Sequence, residues 1–173
     1  EVDRLKNYID KMHGPLDLPN FEDINIHLLI DKVIKILGIK SANYKKNYDP
    51  SIPTLLVDQD MIIQILLNLL KNANEAITET GIIEIKTRID RSFTINSIRH
   101  KLVAVISIID NGIGVDKDIA NKLFLPLITN KEKGSGLGLS ISQKLIQINK
   151  GIITFEEENK KTIFKMIIPI EKY

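Results

Sequence analysis

From Asp58 to Ile77 the chain runs DQDMIIQILLNLLKNANEAI, and its polar residues are not scattered. Gln64, Asn68 and Asn72 fall at four-residue steps, with Lys71 and Glu75 alongside. That spacing predicts one long helix, opened by Asp58 and Asp60, with a single polar stripe on an otherwise apolar surface. A second helix is predicted over about 26–37, with Leu28, Leu29, Val33, Ile36 and Leu37 as apolar positions, Asn25 as N-cap and Gly38 as stop. A third runs over about 137–149, with Ile141, Leu145, Ile146 and Ile148 for burial. Over residues 1–13, Val2, Leu5, Ile9 and Met12 alternate at spacings of three and four, the seam of a helix that packs against other helices. Two heptads are too short to stand alone, so this stretch is expected to be the end of a longer helix.

Strand patterns occupy about 43–49, 55–57, 82–91, 102–109, 152–157 and 161–168. Asp49-Pro50-Ser51 and Asn159-Lys160 read as turns, and residues 92–101 as a polar hairpin between two strands. A short helix is expected over 116–124, followed by a mobile segment over 125–133 that contains Pro126, Thr129 and Lys131. Gly14-Pro15 and Pro19 mark residues 14–23 as a linker, which leaves 24–173 as one domain. The order of elements predicts an α/β two-layer sandwich, one mixed sheet with helices on one face.

Composition narrows the function without naming it. Of 173 residues, 43% are hydrophobic and 27% charged, enough for a real core. A net charge of +2 gives no electrostatic footprint for nucleic acid. The absence of cysteine excludes disulfides and thiolate metal sites. No apolar run reaches the roughly 18 residues that cross a bilayer, and the expectation is a soluble, intracellular protein without membrane contact.

Candidate chemistry concentrates between Asp110 and Ile148. Directly after the apolar run VAVISII come Asp110, Gly112 and Gly114; a second cluster, Gly134, Gly136 and Gly138, leads into the third helix. Glycines before a helix let backbone approach a ligand, and the helix N-terminus adds unpaired N–H groups and partial positive charge. That is a phosphate site in outline, although a glycine-rich turn alone is more often structural, and this spacing is neither the dinucleotide nor the P-loop pattern. Asn is a mediocre helix former, so its recurrence on one face suggests that the amides are used. Side-chain oxygens at that spacing suit a hard cation such as Mg²⁺ carrying phosphate oxygens, or equally a neighbouring loop held by hydrogen bonds.

NLLKNANEA, DNGIGV, LFLPLITNK and GSGLGL, in this order, resemble the four boxes of the sensor histidine kinase ATP-binding domain, the Bergerat fold shared with gyrase, Hsp90 and MutL. The resemblance runs from about residue 24 to the C-terminus. EVDRLKNYIDKMHGP, INIHLLIDKV, NYDPSIP and KTIFKMIIPI are similar to nitrogen-regulation sensor kinases of the NtrB type, with the NtrY type as the alternative. Residues 1–13 would then end the dimerisation and phosphoacceptor helix.

The resemblance implies a mostly antiparallel sheet and a mobile ATP lid over 115–136. It implies that Asp110 accepts a hydrogen bond from the adenine amino group, that Gly112 and Gly114 let backbone approach the base, and that Ala76 and Ile113 wall the pocket. Thr162 would support the Asp110 end. Asn68 and Asn72 resemble the Mg²⁺-binding pair, with Asn72 the stronger ligand. Lys131, Gly134, Ser135 and the N–H groups of Gly136, Leu137 and Gly138 would hold the phosphates of ATP. LPLITNK carries Leu and Ile where relatives often have aromatics, and Ser135 stands where Thr is common; both bear on lid packing.

In gyrase-like ATPases a Glu one turn before the Mg²⁺ ligand activates water. Here that position is Asn68, which cannot serve as a general base. Phosphoryl transfer to another protein group is therefore favoured over hydrolysis. His13, His27 and His100 are not followed by the acidic residue of the family's phosphoacceptor, and each is expected to be structural or on the surface. The expectation is the catalytic domain of a cytoplasmic histidine kinase that binds ATP and Mg²⁺, passes phosphoryl to a histidine on its dimerisation domain, and thence to an NtrC-type response regulator. A PII signalling protein is a further implied partner. The fragment is expected to be a monomer within a homodimeric whole. A gyrase- or Hsp90-like ATPase and a non-catalytic nucleotide-sensing module are the rivals.

Overall fold

A computed structural model describes residues 18–126 and 136–171. The heptad seam of residues 1–13, His13, and the motif residues Lys131, Gly134 and Ser135 lie outside the described residues.

Local chemistry sets the helix ends where the sequence predicts them. The Asn25 side chain accepts from the N–H groups of His27 and Leu28 and starts helix α1, Ile26–Leu37; Gly38, at φ 63°, ends it in left-handed backbone. Asp58 accepts from the N–H of Met61 and starts α2, Gln59–Ala76. Short α3, Lys117–Ala120, and then α4, Gly138–Ile148, follow. The expected helix over 116–124 is thus a single turn begun by the Asp116 cap, and turns follow it to residue 126.

The strands are β1, Phe21–Ile24; β2, Tyr44–Asn47; β3, Leu55–Asp58; β4, Ile83–Ile95; β5, Ile98–Asp110; β6, Ile152–Glu158; and β7, Lys161–Pro169. Five form one sheet in the order β2-β4-β5-β7-β6, with only β2–β4 parallel; β1 and β3 pair separately, antiparallel. Alternation assigns Ala104, Ile106 and Ile108 of β5 and Phe164, Met166 and Ile168 of β7 to one face, where they join Ile30, Val33, Leu66, Leu70 and Ile146 of the helices in the main core. This is the expected two-layer sandwich. Among the described residues no helix is long and apolar enough to cross a membrane.

Two elements differ from the sequence reading. The stretch 14–23 ends inside β1, because Phe21–Ile24 finds a ladder partner in Leu55–Asp58, more than thirty residues later. Residues 92–101 form the expected hairpin, but as ladder rather than loop. They continue the β4–β5 ladder to a two-residue turn at Asn96 and Ser97, both at positive φ. Ser92, at φ 56°, kinks the arm. Past that kink Ile95 packs with Val103, Val105 and Ile167 in a separate cluster, although strict alternation would place it on the helix-covered face. The arm thereby covers part of the sheet's second face.

His27 illustrates a structural histidine. Its ring stacks on Tyr48 at 4.5 Å, and Nε2 lies 2.9 Å from Thr87 Oγ1. The same hydroxyl oxygen accepts from the Asp49 N–H at 2.8 Å, so the fully buried Thr87 joins the start of α1, the Asp49 turn and β4.

Candidate nucleotide site

Helix α2 organises the site. Gln64, Asn68, Asn72 and Ala76 follow one another at four-residue steps and are all half-buried, between the apolar face and exposed Lys71 and Glu75. Both glycine motifs meet this stripe.

At its C-terminal end, a Cβ on Gly112 would collide with the backbone of Ala76 and stand 2.8 Å from the Ala76 side chain. The Ile113 N–H donates to the Ala76 carbonyl at 3.1 Å, completing the seam between α2 and the glycine loop. Asp110 closes β5 beside this loop, 3% exposed, and its Oδ1 accepts from the Gly112 N–H at 2.9 Å. Burial pushes its carboxyl above the usual aspartate range, and the Gly112 hydrogen bond offsets part of that rise. Thr162 of β7 lies directly opposite Asp110 in the ladder and is also buried, so the two side chains share the helix-covered face. Ala76 lies against the glycine loop, whereas Ile113 is 84% exposed.

Twelve residues before the C-terminus of α4 the chain enters the other end of the site. Gly136 takes φ 66°, and α4 begins at Gly138, with Leu137 at its N-cap position. A Cβ on Gly138 would occupy the position of the Asn68 amide. Asn68 Nδ2 donates to Ser142 Oγ at 2.9 Å, and Asn72 Nδ2 to Asn68 Oδ1 at 3.5 Å. Asn68 therefore ties α2 to α4 and also accepts from Asn72.

Two residues at this site lack any motif signal. Ser142, 1% exposed, anchors Asn68; the trace it leaves in the sequence is a pair of small hydroxyl residues, Ser140 and Ser142, in an apolar helix. Glu157 of β6 faces the Gly114 loop, its Oε1 3.2 Å from where a Gly114 Cβ would stand. Nothing in the run of three glutamates, Glu156 to Glu158, distinguishes it.

A donor set of amide oxygens suits Mg²⁺ only in company. Among the described residues no group of three or more His, Asp or Glu side chains is placed to hold a metal ion. Neutral oxygens from Asn72 and Asn68 fit a hard cation whose charge is balanced by phosphate oxygens and whose remaining positions are filled by water.

Residues 57–172 match the model of the histidine kinase-, DNA gyrase B- and HSP90-like ATPases. The chain is 35% identical over 176 residues to the sensory histidine kinase/phosphatase NtrB of Klebsiella oxytoca, covering 99% of this chain and 50% of that protein. It is 36% identical over 175 residues to NtrB of Vibrio alginolyticus, covering 98% and 50%. The chain thus spans about half the length of these curated relatives. Among solved structures, the nucleotide-free catalytic domain of the histidine kinase ThkA is similar, with TM-score 0.70 and 28% identity over 87% of this chain and 95% of that one.

Proposed function

We infer the function of this chain from its family: it belongs to the histidine kinase-, DNA gyrase B- and HSP90-like ATPases, and within them it is an NtrB-like sensor histidine kinase ATP-binding domain. The reaction we propose is transfer of the ATP γ-phosphoryl to a histidine other than His13, His27 and His100, in the dimerisation domain of a cytoplasmic, homodimeric nitrogen-regulation kinase. An aspartate of an NtrC-type response regulator would receive it next, and a PII protein would modulate the exchange.

One observation carries this reading: a single helix stripe touches both glycine motifs. Ala76 and Asn68 are eight residues apart, roughly 12 Å along the α2 axis. That length suits a nucleotide laid along the helix, with its base at Asp110 and its phosphates at the start of α4. Asp110 supplies an acceptor-only carboxylate for the adenine amino group, which guanine, with a carbonyl there, cannot satisfy. Thr162 shares that buried corner. Gly136, Leu137 and Gly138 present backbone at the positive end of α4, and Lys131 adds a cation from outside the described residues. Mg²⁺, when bound with ATP, would supply charge neutralisation for the transferring phosphoryl group. Asn72 would hold the ion through its side-chain oxygen, and Asn68 would fix the orientation of Asn72.

Asn68 also favours kinase over ATPase chemistry. An amide cannot take a proton from water, and this one donates to Ser142. Nor does His27 offer an acceptor, since its Nε2 faces the buried Thr87 hydroxyl.

Calorimetry with ATP and GTP, with and without Mg²⁺, tests the site. Magnesium-dependent preference for ATP is expected; equal affinity for GTP would remove Asp110 from its role. Phosphohistidine formation on a separately supplied NtrB-type dimerisation domain tests the reaction, and ATP hydrolysis without it would restore the ATPase reading.

A further inference from the structure

The base end of the site contains a second carboxylate. Asp110 of β5 pairs with Thr162 of β7, and Thr162 pairs with Glu157 of β6. Directly opposed residues in antiparallel ladders project to the same face, so the three side chains form one row. Two strand spacings put the Glu157 Cα about 10 Å from that of Asp110. The row grades from buried to open: Asp110 is 3% exposed, Thr162 5%, and Glu157 lies in solvent at the rim. Rather than pointing away, the Glu157 side chain leans over the glycine loop and sets Oε1 beside Gly114. Its neighbour Glu156 is otherwise occupied, pairing with Lys165 at 2.8 Å. Among the described residues, no hydrogen bond or ion pair engages the Glu157 carboxylate.

We propose that Glu157 is a specificity-determining residue that accepts a hydrogen bond from a donor on the nucleoside half of the nucleotide. The inference rests on the nucleotide reading given above. A carboxylate is acceptor-only, so the donor is an N–H or O–H: the base amino group, which has a second hydrogen beyond the one Asp110 takes, or a ribose hydroxyl. Charge makes the proposal sharp. A bare carboxylate beside a polyanionic nucleotide repels it, and removing such a group tightens binding. Only a carboxylate that takes a donor loses affinity when removed.

The test compares Glu157→Ala and Glu157→Gln with the unaltered protein by calorimetry. The ligands are Mg-ATP, N6-methyl-ATP, 2′-deoxy-ATP, 3′-deoxy-ATP and tripolyphosphate. Glu157→Ala is expected to weaken ATP about fivefold to tenfold, the range for one charge-assisted hydrogen bond at a rim. Glu157→Gln is expected to lose less, because its amide oxygen still accepts. Tripolyphosphate affinity should not fall. The analogue that lacks the donor should be insensitive to Glu157→Ala, which identifies the base amino group or one of the ribose hydroxyls. Tighter or unchanged ATP binding in Glu157→Ala overturns the proposal, as does an equal loss across all nucleosides, which marks the residue as a support for the loop alone. Absence of ATP binding by the unaltered protein is a different result, for it overturns the nucleotide reading itself.

Discussion

The side-chain amide of Asn68 fills the space that a Cβ on Gly138 would need, with its Cγ only 3.0 Å from that position. Helices α2 and α4 therefore meet through a residue with no side chain and a residue whose amide is tethered to Ser142. Gly138→Ala is expected to destabilise the domain by about 1–3 kcal/mol, the usual cost of overpacking a tight contact. In an Asn68→Ala background the obstacle is gone, and the same change should become neutral or stabilising by up to about 1 kcal/mol through helix propensity. Denaturant unfolding of the four proteins reads this coupling directly. Additive effects would show that the two residues do not share space.

Asn72 lies one turn further along the stripe and is half-buried, away from the apolar core face. Asn72→Ala should leave the unfolding midpoint close to that of the parent while reducing Mg-ATP affinity by more than about tenfold, the scale of one lost ion or charge-assisted contact. Calorimetry with and without Mg²⁺ checks it. An unchanged ATP affinity would transfer the ion to other ligands.

Under the proposed reading, Asp110 couples ligand selectivity to acid stability. Its folded-state carboxyl is raised by burial, so the folded protein without nucleotide resists ionisation more than the unfolded chain does. That penalty is absent well below the ordinary aspartate range, grows as pH rises through it, and is complete above the raised folded value. Asp110→Asn is therefore expected to raise the unfolding midpoint near neutral pH and to have little effect in acid, while ATP loses its advantage over GTP. In the unaltered protein, ATP affinity should fall with acidification at a higher pH than an ordinary aspartate would give. Scanning calorimetry across pH measures the first effect, and nucleotide titrations the second.

His27 gives a slope of opposite origin. Burial holds its imidazole below the ordinary histidine range, against the opposing pull of Asp31 and Asp49. The buried Thr87 hydroxyl needs an acceptor, which neutral Nε2 supplies. Well above pH about 6.5 the group is neutral in both states and contributes no pH dependence. As pH falls below that value the unfolded chain takes up a proton that the folded one resists, and stability drops until the folded group also titrates. His27→Gln, which retains an acceptor, should flatten that part of the stability profile. A slope that survives the substitution would assign it to another group.

Much of this architecture is legible in the chain because its determinants are local. Asn25 and Gly38 bracket α1, Asp58 starts α2, and the four-residue stripe announces which side of α2 is used. Strand β1 was not legible: FEDI has little strand character, and its partner Leu55–Asp58 is remote. The Ser92 kink likewise defeats alternation, since it redirects Ile95 across the sheet through a single backbone angle. At the site, motif residues are visible but their supports are not. Ser142 meets Asn68 through a contact between two helices, and Glu157 joins its row through register beside Thr162. Pairings of this kind belong to the assembled sheet and helix layer.

The stripe on α2 also constrains how the chain can change in length. Ala76 is fitted to the loop at Gly112 and Asn68 to the start of α4, so eight residues fix the separation and the relative rotation of two contacts. One residue inserted or deleted between them turns one contact about 100° away from the other. Surface turns such as Asn96-Ser97 and Asn159-Lys160 have no such double attachment. Length variation in this domain therefore belongs at the hairpin tips, while the span from Asn68 to Ala76 behaves as a gauge whose divisions cannot be recut.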